Sequence, residues 1–342
     1  MTAGRVWPGR RHVPALILAA LAGAVLLAAL ALGVIRAALD RPLPLSTPRL
    51  VVVEQGQSLG AVARAGSRAG WLPPHWQVRA AARMTGVSRD MHVGEYRLAP
   101  GLTLRAFLQK LARGDVYLRA VSLPEGLTSR AVSARLKAAE ALIHDLDAPP
   151  AEGTLLPETY AYTRGDRASA LVARMQAAQA TLLDRLWPAR QAGLPLDSRR
   201  EAVILASIVE RETAVPEERA KVAAVFINRL NRGMRLQSDP TVRYGLSDGA
   251  GLDRPLSRAD LRRTTPYNTY RVNGLPPTPI ANPGRAALHA VLHPADVPYL
   301  YFVADGSGGH AFATTLRDHN RNVARWRAIE NARDGQREGG KP

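Results

Sequence analysis

The sequence predicts an α+β chain: a single N-terminal transmembrane helix, then a small α+β unit, then a larger mixed α/β unit with its most informative carboxylate on a helix. Three observations predict this. One long uncharged apolar run lies near the N-terminus, apolar residues switch between alternating and helical spacing further on, and 342 residues suit two folded units. With 46% hydrophobic and 22% charged residues, wholesale disorder, collagen and a multi-span membrane protein are excluded. The absence of cysteine removes disulfides, thiolate zinc sites, iron–sulfur centres and cysteine nucleophiles. A formal charge of +17, nearly all from arginine, suits contact with a polyanion. The chain is also rich in alanine, so a genome-wide compositional bias explains the arginines as well.

The elements follow in chain order. Residues 13–35 are 23 consecutive uncharged positions, enough at about 1.5 Å each to cross a hydrocarbon layer of about 30 Å. A cleavable signal peptide is the alternative, with a small-x-small site at Ala29-Leu30-Ala31, but the apolar run exceeds the roughly 7–15 residues of a signal core. Arg5, Arg10 and Arg11 lie just ahead of the run, which places residues 1–12 in the cytoplasm and the body of the protein outside, although Arg36, Arg41 and Arg49 follow it. Residues 36–48 read as a stiff proline-rich linker. A first unit at 49–118 has strands at 50–53 and 94–98 and helices at 57–69, 77–84 and 103–112, the last stopped by Gly114. The second unit, 119–330, opens with a strand near Val121 and a helix to about Ala141, followed by an ordered loop at 149–163. Helices are predicted at 168–187, 198–213, 216–232 and 284–292. A long proline- and glycine-rich stretch precedes the last of these, and a hairpin joins 299–304 to 310–315. Residues 331–342 read as a solvated tail.

The most informative segment is 198–213. Ser198 and Glu201 have the spacing of a capping box. At about 100° per residue, Ile204, Leu205, Ile208 and Val209 share one stripe, and Glu212 projects from its middle while Glu210 projects from roughly the opposite side. A carboxyl group among aliphatic side chains loses water, which raises its pKa and suits it to act as a general acid near neutral pH. Periodicity alone leaves open that the helix frays before Glu212. Pro216, Glu217 and Glu218 read as helix-opening residues rather than catalysts. Beyond them, residues 236–245 set polar and aromatic groups on a loop restrained by proline and glycine.

The segments LPEGLT (123–128), EGTLLPETY (152–160), LASIVERET (205–213), EERAKVAAVFINRL (217–230), MRLQSDPTVRYGL (234–246), YNTYRVNGLPPTPIANPG (267–284) and PYLYFVADGSGGHAFATTLRDHN (298–320) carry a resemblance. In their order and spacing the chain resembles the YceG-like family of endolytic murein transglycosylases, membrane-anchored enzymes that cut nascent peptidoglycan strands. The resemblance implies a LysM-like subdomain at 49–118 and a catalytic domain at 119–330, with the body of the chain on the periplasmic side of the inner membrane. It implies that Glu212, directly before threonine in the E-x-E-T segment, is the essential acid. Glu212 would cleave the bond between N-acetylmuramic acid and N-acetylglucosamine without water, leaving a 1,6-anhydro end, and so would need no second carboxylate. Glu158, Gln237, Ser238, Asp239, Thr241, Tyr244, Asn268, Tyr270, His310 and Thr314 lie in matching segments and are the implied substrate-binding set. Peptidoglycan synthases at the membrane are the implied partners, and no cofactor or metal is implied. Leu156 stands where the family often has an aromatic residue, and the 49–118 module diverges most.

Other chemistries fit less well. His289 and His293 are four apart on a predicted helix, but Ala290 stands where a metalloprotease helix carries glutamate. Gly306–Gly309 lacks the Lys-Ser/Thr of a phosphate loop, and Ser207 lacks the flanking glycines of a nucleophile elbow. A nucleic-acid binder would gather its arginines on one face, whereas here they are spread along the chain behind a membrane span. A non-catalytic peptidoglycan-binding or division scaffold is the remaining alternative.

Overall fold

The structure, a computed structural model, describes residues 13–87 and 91–339; the expected cytoplasmic segment 1–12 lies outside them. The chain divides into two compact units, Met1–Leu118 and Arg119–Pro342.

In the first unit, helix α1 runs from Val13 to Asp40. Within Ile17–Asp40 an 18-residue window has a mean hydropathy of 2.6, and Ile17, Leu18, Leu21, Leu26 and Leu30 are each more than half exposed. By length and composition this helix is long and apolar enough to cross a membrane, and among the described residues nothing covers its apolar window. The last turns behave differently. Leu39 is buried, Ile35 packs against the same core, and Arg105 donates two hydrogen bonds to Asp40 at 2.8 and 3.1 Å. The linker expected at 36–48 therefore begins later than its composition suggests. Helix continues until Pro42 ends it, and Leu43 is itself buried, its amide donating to the Leu102 carbonyl at 2.7 Å.

Strand β1 (Arg49–Val53), helices α2 (Leu59–Arg68) and α3 (His75–Thr85), strand β2 (Gly94–Leu98) and helix α4 (Leu104–Arg113) complete this unit. β1 and β2 are antiparallel, with Val51 opposite Tyr96. Ser58 and Thr103 cap α2 and α4 by accepting from the amides of Ala61 and Ala106, and Gly114 ends α4 in the left-handed region at φ 66°. Val53, Tyr96, Leu98, Phe107 and Leu108 form the core.

The second unit contains β3 (Arg119–Ser122), α5 (Ser129–Lys137), β4 (Thr159–Tyr162), α6 (Ala168–Leu186), α7 (Arg199–Glu212), a 3₁₀ turn (Pro216–Glu218) and α8 (Arg219–Asn231). There follow α9 (Asp239–Ser247), α10 (Arg258–Arg262), α11 (Arg285–Leu292), β5 (Tyr301–Ala304), β6 (His310–Ala313) and α12 (Leu316–Gly339). β3 and β4 pair antiparallel, as do β5 and β6. The helices form most of the unit, and α7 packs against both α8 and α11. Every residue from Ala202 to Val209 is buried, so α7 is covered on all sides.

Three expectations change here. The stretch 149–163 is not all loop, because β4 forms where Tyr160 and Tyr162 alternate inward. The polar segment after Leu236 is helical from Asp239, since proline is compatible with a first turn and the last residue is followed by Asp248 in the left-handed region. The expected tail at 331–342 belongs to α12 as far as Gly339.

Candidate active site

Ser198 starts α7 by accepting from the Glu201 amide, while the Glu201 carboxylate reaches past Ser198 to the Asp197 amide at 2.6 Å. The helix ends at Glu212. Thr213 turns extended, its amide still bonded to the Val209 carbonyl, so the helix does not fray before the acid.

Glu212 opens on a cavity of about 410 Å³ lined by Gln237, Asp239, Tyr270, Tyr301 and Phe302 among others. It is partly accessible from the cavity, yet protein surrounds its carboxyl group. Burial pushes its pKa up to about 7, partly opposed by a hydrogen bond from Ser238, while the negative charge of Asp239 raises it further. Ser238 Oγ donates to Glu212 Oε1 at 2.5 Å. The positive fields of His310 and Arg229 act with Ser238 in favour of the carboxylate.

The Ser238 hydroxyl is held by a built support. Its amide donates to Thr269 Oγ1 at 2.9 Å, and its carbonyl accepts from Thr241 Oγ1 at 2.6 Å. Thr241 and Thr269 share a hydrogen bond at 2.8 Å. Gln237, just before, has φ 55°, a left-handed conformation unusual for a side-chain-bearing residue. Its amide bond to the Thr269 carbonyl at 3.2 Å and the Ser238 amide bond next to it hold the strained turn in place.

Arg229 was not among the residues expected at the site. It is buried on α8 and donates to the carbonyls of Leu300 and Leu236, each at 2.7 Å, and to Gln237 Oε1 at 3.3 Å. Its guanidinium also lies over the Tyr301 ring, 5.2 Å from the centroid. It thus ties β5 to the 235–237 turn beside Glu212. The signal for it was in the sequence: Arg229 stands seven residues after Val222 and four after Val225, on the buried stripe of its helix.

The expected substrate-binding residues separate into groups. Gln237, Asp239 and Tyr270 line the cavity, and the Tyr270 hydroxyl donates to Asp239 Oδ1 at 2.7 Å. Ser238 touches the acid. His310 is paired with Glu218, Nδ1 to Oε2 at 2.6 Å, and reaches Glu212 only through its field. Thr241 and Asn268 are completely buried. A glycan has no access to either; Thr241 supports Ser238, and Asn268 donates to three backbone carbonyls of the 260–263 turn. Tyr244 donates to Glu152 Oε2 at 3.3 Å and lines a different cavity. Glu158 lies on the surface, paired with Arg285 at 2.6 Å, and Thr314 is exposed beyond β6. Glu158 and Thr314 do not line the Glu212 cavity.

Glu210 also departs from the simple helical picture. Only 6% of its side chain is exposed, and it accepts from the Gly284 amide at 2.9 Å, because that side of α7 is covered as well. Among the described residues, no group of three or more His, Asp or Glu could hold a metal ion.

Fold and site together define a chain with one long apolar N-terminal helix and a mostly helical unit that sets a buried, readily protonated carboxyl group at an aromatic-lined cleft. Comparison with known sequences assigns it further. A model of the YceG-like family matches residues 51–325, and the chain belongs to that family. It is 30% identical over 269 residues to the endolytic murein transglycosylase of Bacillus subtilis, covering 70% of this chain and 74% of that protein. It is 34% identical over 178 residues to the endolytic murein transglycosylase of Streptococcus pneumoniae, covering 51% of this chain but only 32% of that protein. The crystal structure of a Listeria monocytogenes protein described as YceG-like shares 26% identity and a TM-score of 0.49, covering 80% of this chain and 98% of that one.

Proposed function

We propose that this chain is an endolytic murein transglycosylase anchored by residues 13–35, with its body outside the cytoplasm. The observation that carries the reading is the Glu212 carboxyl group, desolvated at the end of a buried helix and hydrogen-bonded by Ser238 at the edge of a cleft. A group with a pKa of about 7 is part protonated and part ionised at neutral pH, so it can give a proton and take one back.

In the proposed reaction, Glu212 protonates the oxygen that links the muramyl C1 to the next sugar, and the C1–O bond breaks. The carboxylate then accepts the proton of the muramyl C6 hydroxyl as O6 attacks C1. A 1,6-anhydro ring forms, Glu212 recovers its proton, and no water is consumed. Ser238, with the charge of Arg229, stabilises the carboxylate between the two transfers. Gln237, Asp239 and Tyr270 line the cleft where the sugars would lie. One carboxyl group serves both transfers, whereas hydrolytic glycosidases use two. Cutting within nascent strands would end their elongation, and the anchor would keep the enzyme beside the synthases that make them.

The test is Glu212→Gln in the full chain on purified glycan strands, with products weighed by mass spectrometry. Loss of anhydromuramyl ends by a factor of about 10²–10⁴ with the fold retained is expected. Unchanged product formation overturns the assignment. Strand binding without cleavage by the wild-type protein would favour the scaffold reading.

A further inference from the structure

A second cavity, of about 290 Å³, is lined by Arg211, Arg243, Thr128, Tyr244, Ser247 and Pro240 among others. Its lining follows that of the Glu212 cavity along the chain at two points: Arg211 directly precedes Glu212 at the end of α7, and Pro240 directly follows Asp239 at the start of α9.

The polar groups lining this cavity are unequal in what they can still bind. Thr128 Oγ1 donates to the Gly249 carbonyl at 3.0 Å and accepts from the Ala131 amide at 3.2 Å. Ser247 Oγ donates to the Arg243 carbonyl at 2.9 Å and accepts from the Gly251 amide at 3.2 Å. The Tyr244 hydroxyl donates to Glu152. The hydrogens of all three hydroxyls are therefore committed within the protein. Each guanidinium, by contrast, carries five N–H donors. Among the described residues, Arg211 makes one hydrogen bond, to the Gly126 carbonyl at 3.3 Å, and Arg243 makes one, to the Arg254 carbonyl at 3.4 Å.

Neither arginine forms an ion pair with a carboxylate among the described residues, and two of the nearby acids are paired with other arginines. Asp248 pairs with Arg130 at 3.3 Å and Asp260 with Arg254 at 2.5 Å. Glu210 feels the field of Arg211, but its carboxylate accepts from the Gly284 amide and lies 4.0 Å from Arg219. The cavity thus offers two forked cations whose spare donors outnumber its spare acceptors, the lone pairs left on the three hydroxyls. Sugar hydroxyls need both. A carboxylate needs donors only, and planar guanidinium groups bind it in pairs of hydrogen bonds.

We propose that this cavity binds a free carboxylate of the peptide stem carried by a muramyl residue, with Arg211 and Arg243 gripping the stem while the glycan lies against Glu212. The inference rests on the murein reading above and goes beyond it by making the stem, as well as the sugar, a determinant of which bond is cut.

The test compares stem-bearing strands with strands stripped of stems by an amidase, using the full chain in detergent micelles and the variants Arg243→Gln and Arg243→Lys. The wild-type protein is expected to show kcat/KM about tenfold higher on stem-bearing strands, chiefly through KM. Arg243→Gln should bring that ratio towards one, and Arg243→Lys, which keeps the charge but loses the fork, should fall between. A direct titration with free stem peptide should show weaker binding to Arg243→Gln than to the wild type. Equal wild-type efficiency on both strands, or an equal loss on both in Arg243→Gln, overturns the stem pocket alone. Failure of the wild-type protein to cleave either strand overturns the murein reading, and the stem pocket with it.

Discussion

Glu212 weakens the fold in which it sits, and the sign follows from its pKa. The usual value is 4.5 and the folded value is about 7. Below pH 4.5 the group is neutral in both states and has no effect. As pH rises towards 7 the unfolded chain ionises while the folded one keeps its proton, so stability falls across that window by about 3 kcal/mol in total and then levels off. Glu212→Gln cannot ionise, so thermal denaturation should find the variant gaining on the wild type between pH 4 and pH 8; a gap constant with pH would refute a buried acid. Activity should have the complementary limb, falling as pH rises above about 7 and the proton donor is lost. Ser238→Ala removes a hydrogen bond that favours the carboxylate. The limb should move to higher pH and kcat should fall about 10-fold. A limb that stays in place would mean that Ser238 only packs.

At the scale of elements, the site depends on how tightly α7 is enclosed. Gly153 marks one such contact. Its φ is 77°, and a Cβ there would lie 2.4 Å from Pro279 Cγ and 3.1 Å from Val203 Cγ1 on α7. A proline ring cannot swing aside as a flexible side chain could. Gly153→Ala should therefore cost about 2–4 kcal/mol, read as a lower denaturant midpoint. The same enclosure explains where helical periodicity succeeded and where it misled. It located α7 and set Glu212 against the aliphatic stripe, because a desolvated acid must interrupt an apolar pattern. It assigned Glu210 to the opposite side, but that side is also covered, since α7 packs against both α8 and α11. Helix α9 escaped notice for a different reason: its nine residues include proline and glycine, and packing rather than propensity sustains it.

For the whole molecule, the separation of anchor from body falls later than the apolar run implies. Removing residues 1–34 should release the chain from the membrane fraction and leave the first unit folded. Removing residues 1–43 also deletes Leu39 and Leu43 from its core and should lower the melting temperature of that unit, as losing buried leucines destabilises by about 2–5 kcal/mol each. Equal melting of the two truncations would show that α1 adds nothing to the core.

The sequence by itself determined the apolar helix, the mixed helix and strand composition, most helix positions and the placing of Glu212 against the aliphatic stripe of α7. All of these rest on patterns between residues a few places apart, which local geometry turns directly into structure. Tertiary structure alone decided which of the expected binding residues reach the cleft. Thr241 and Asn268 are buried, Glu158 is engaged by Arg285 across 127 positions, and Ser238 reaches Glu212 across 26. It also decided that Arg211 and Arg243 face one cavity and form no ion pair with a carboxylate among the described residues. Contacts between distant segments depend on how whole helices pack, and no local repeat in the chain encodes that packing.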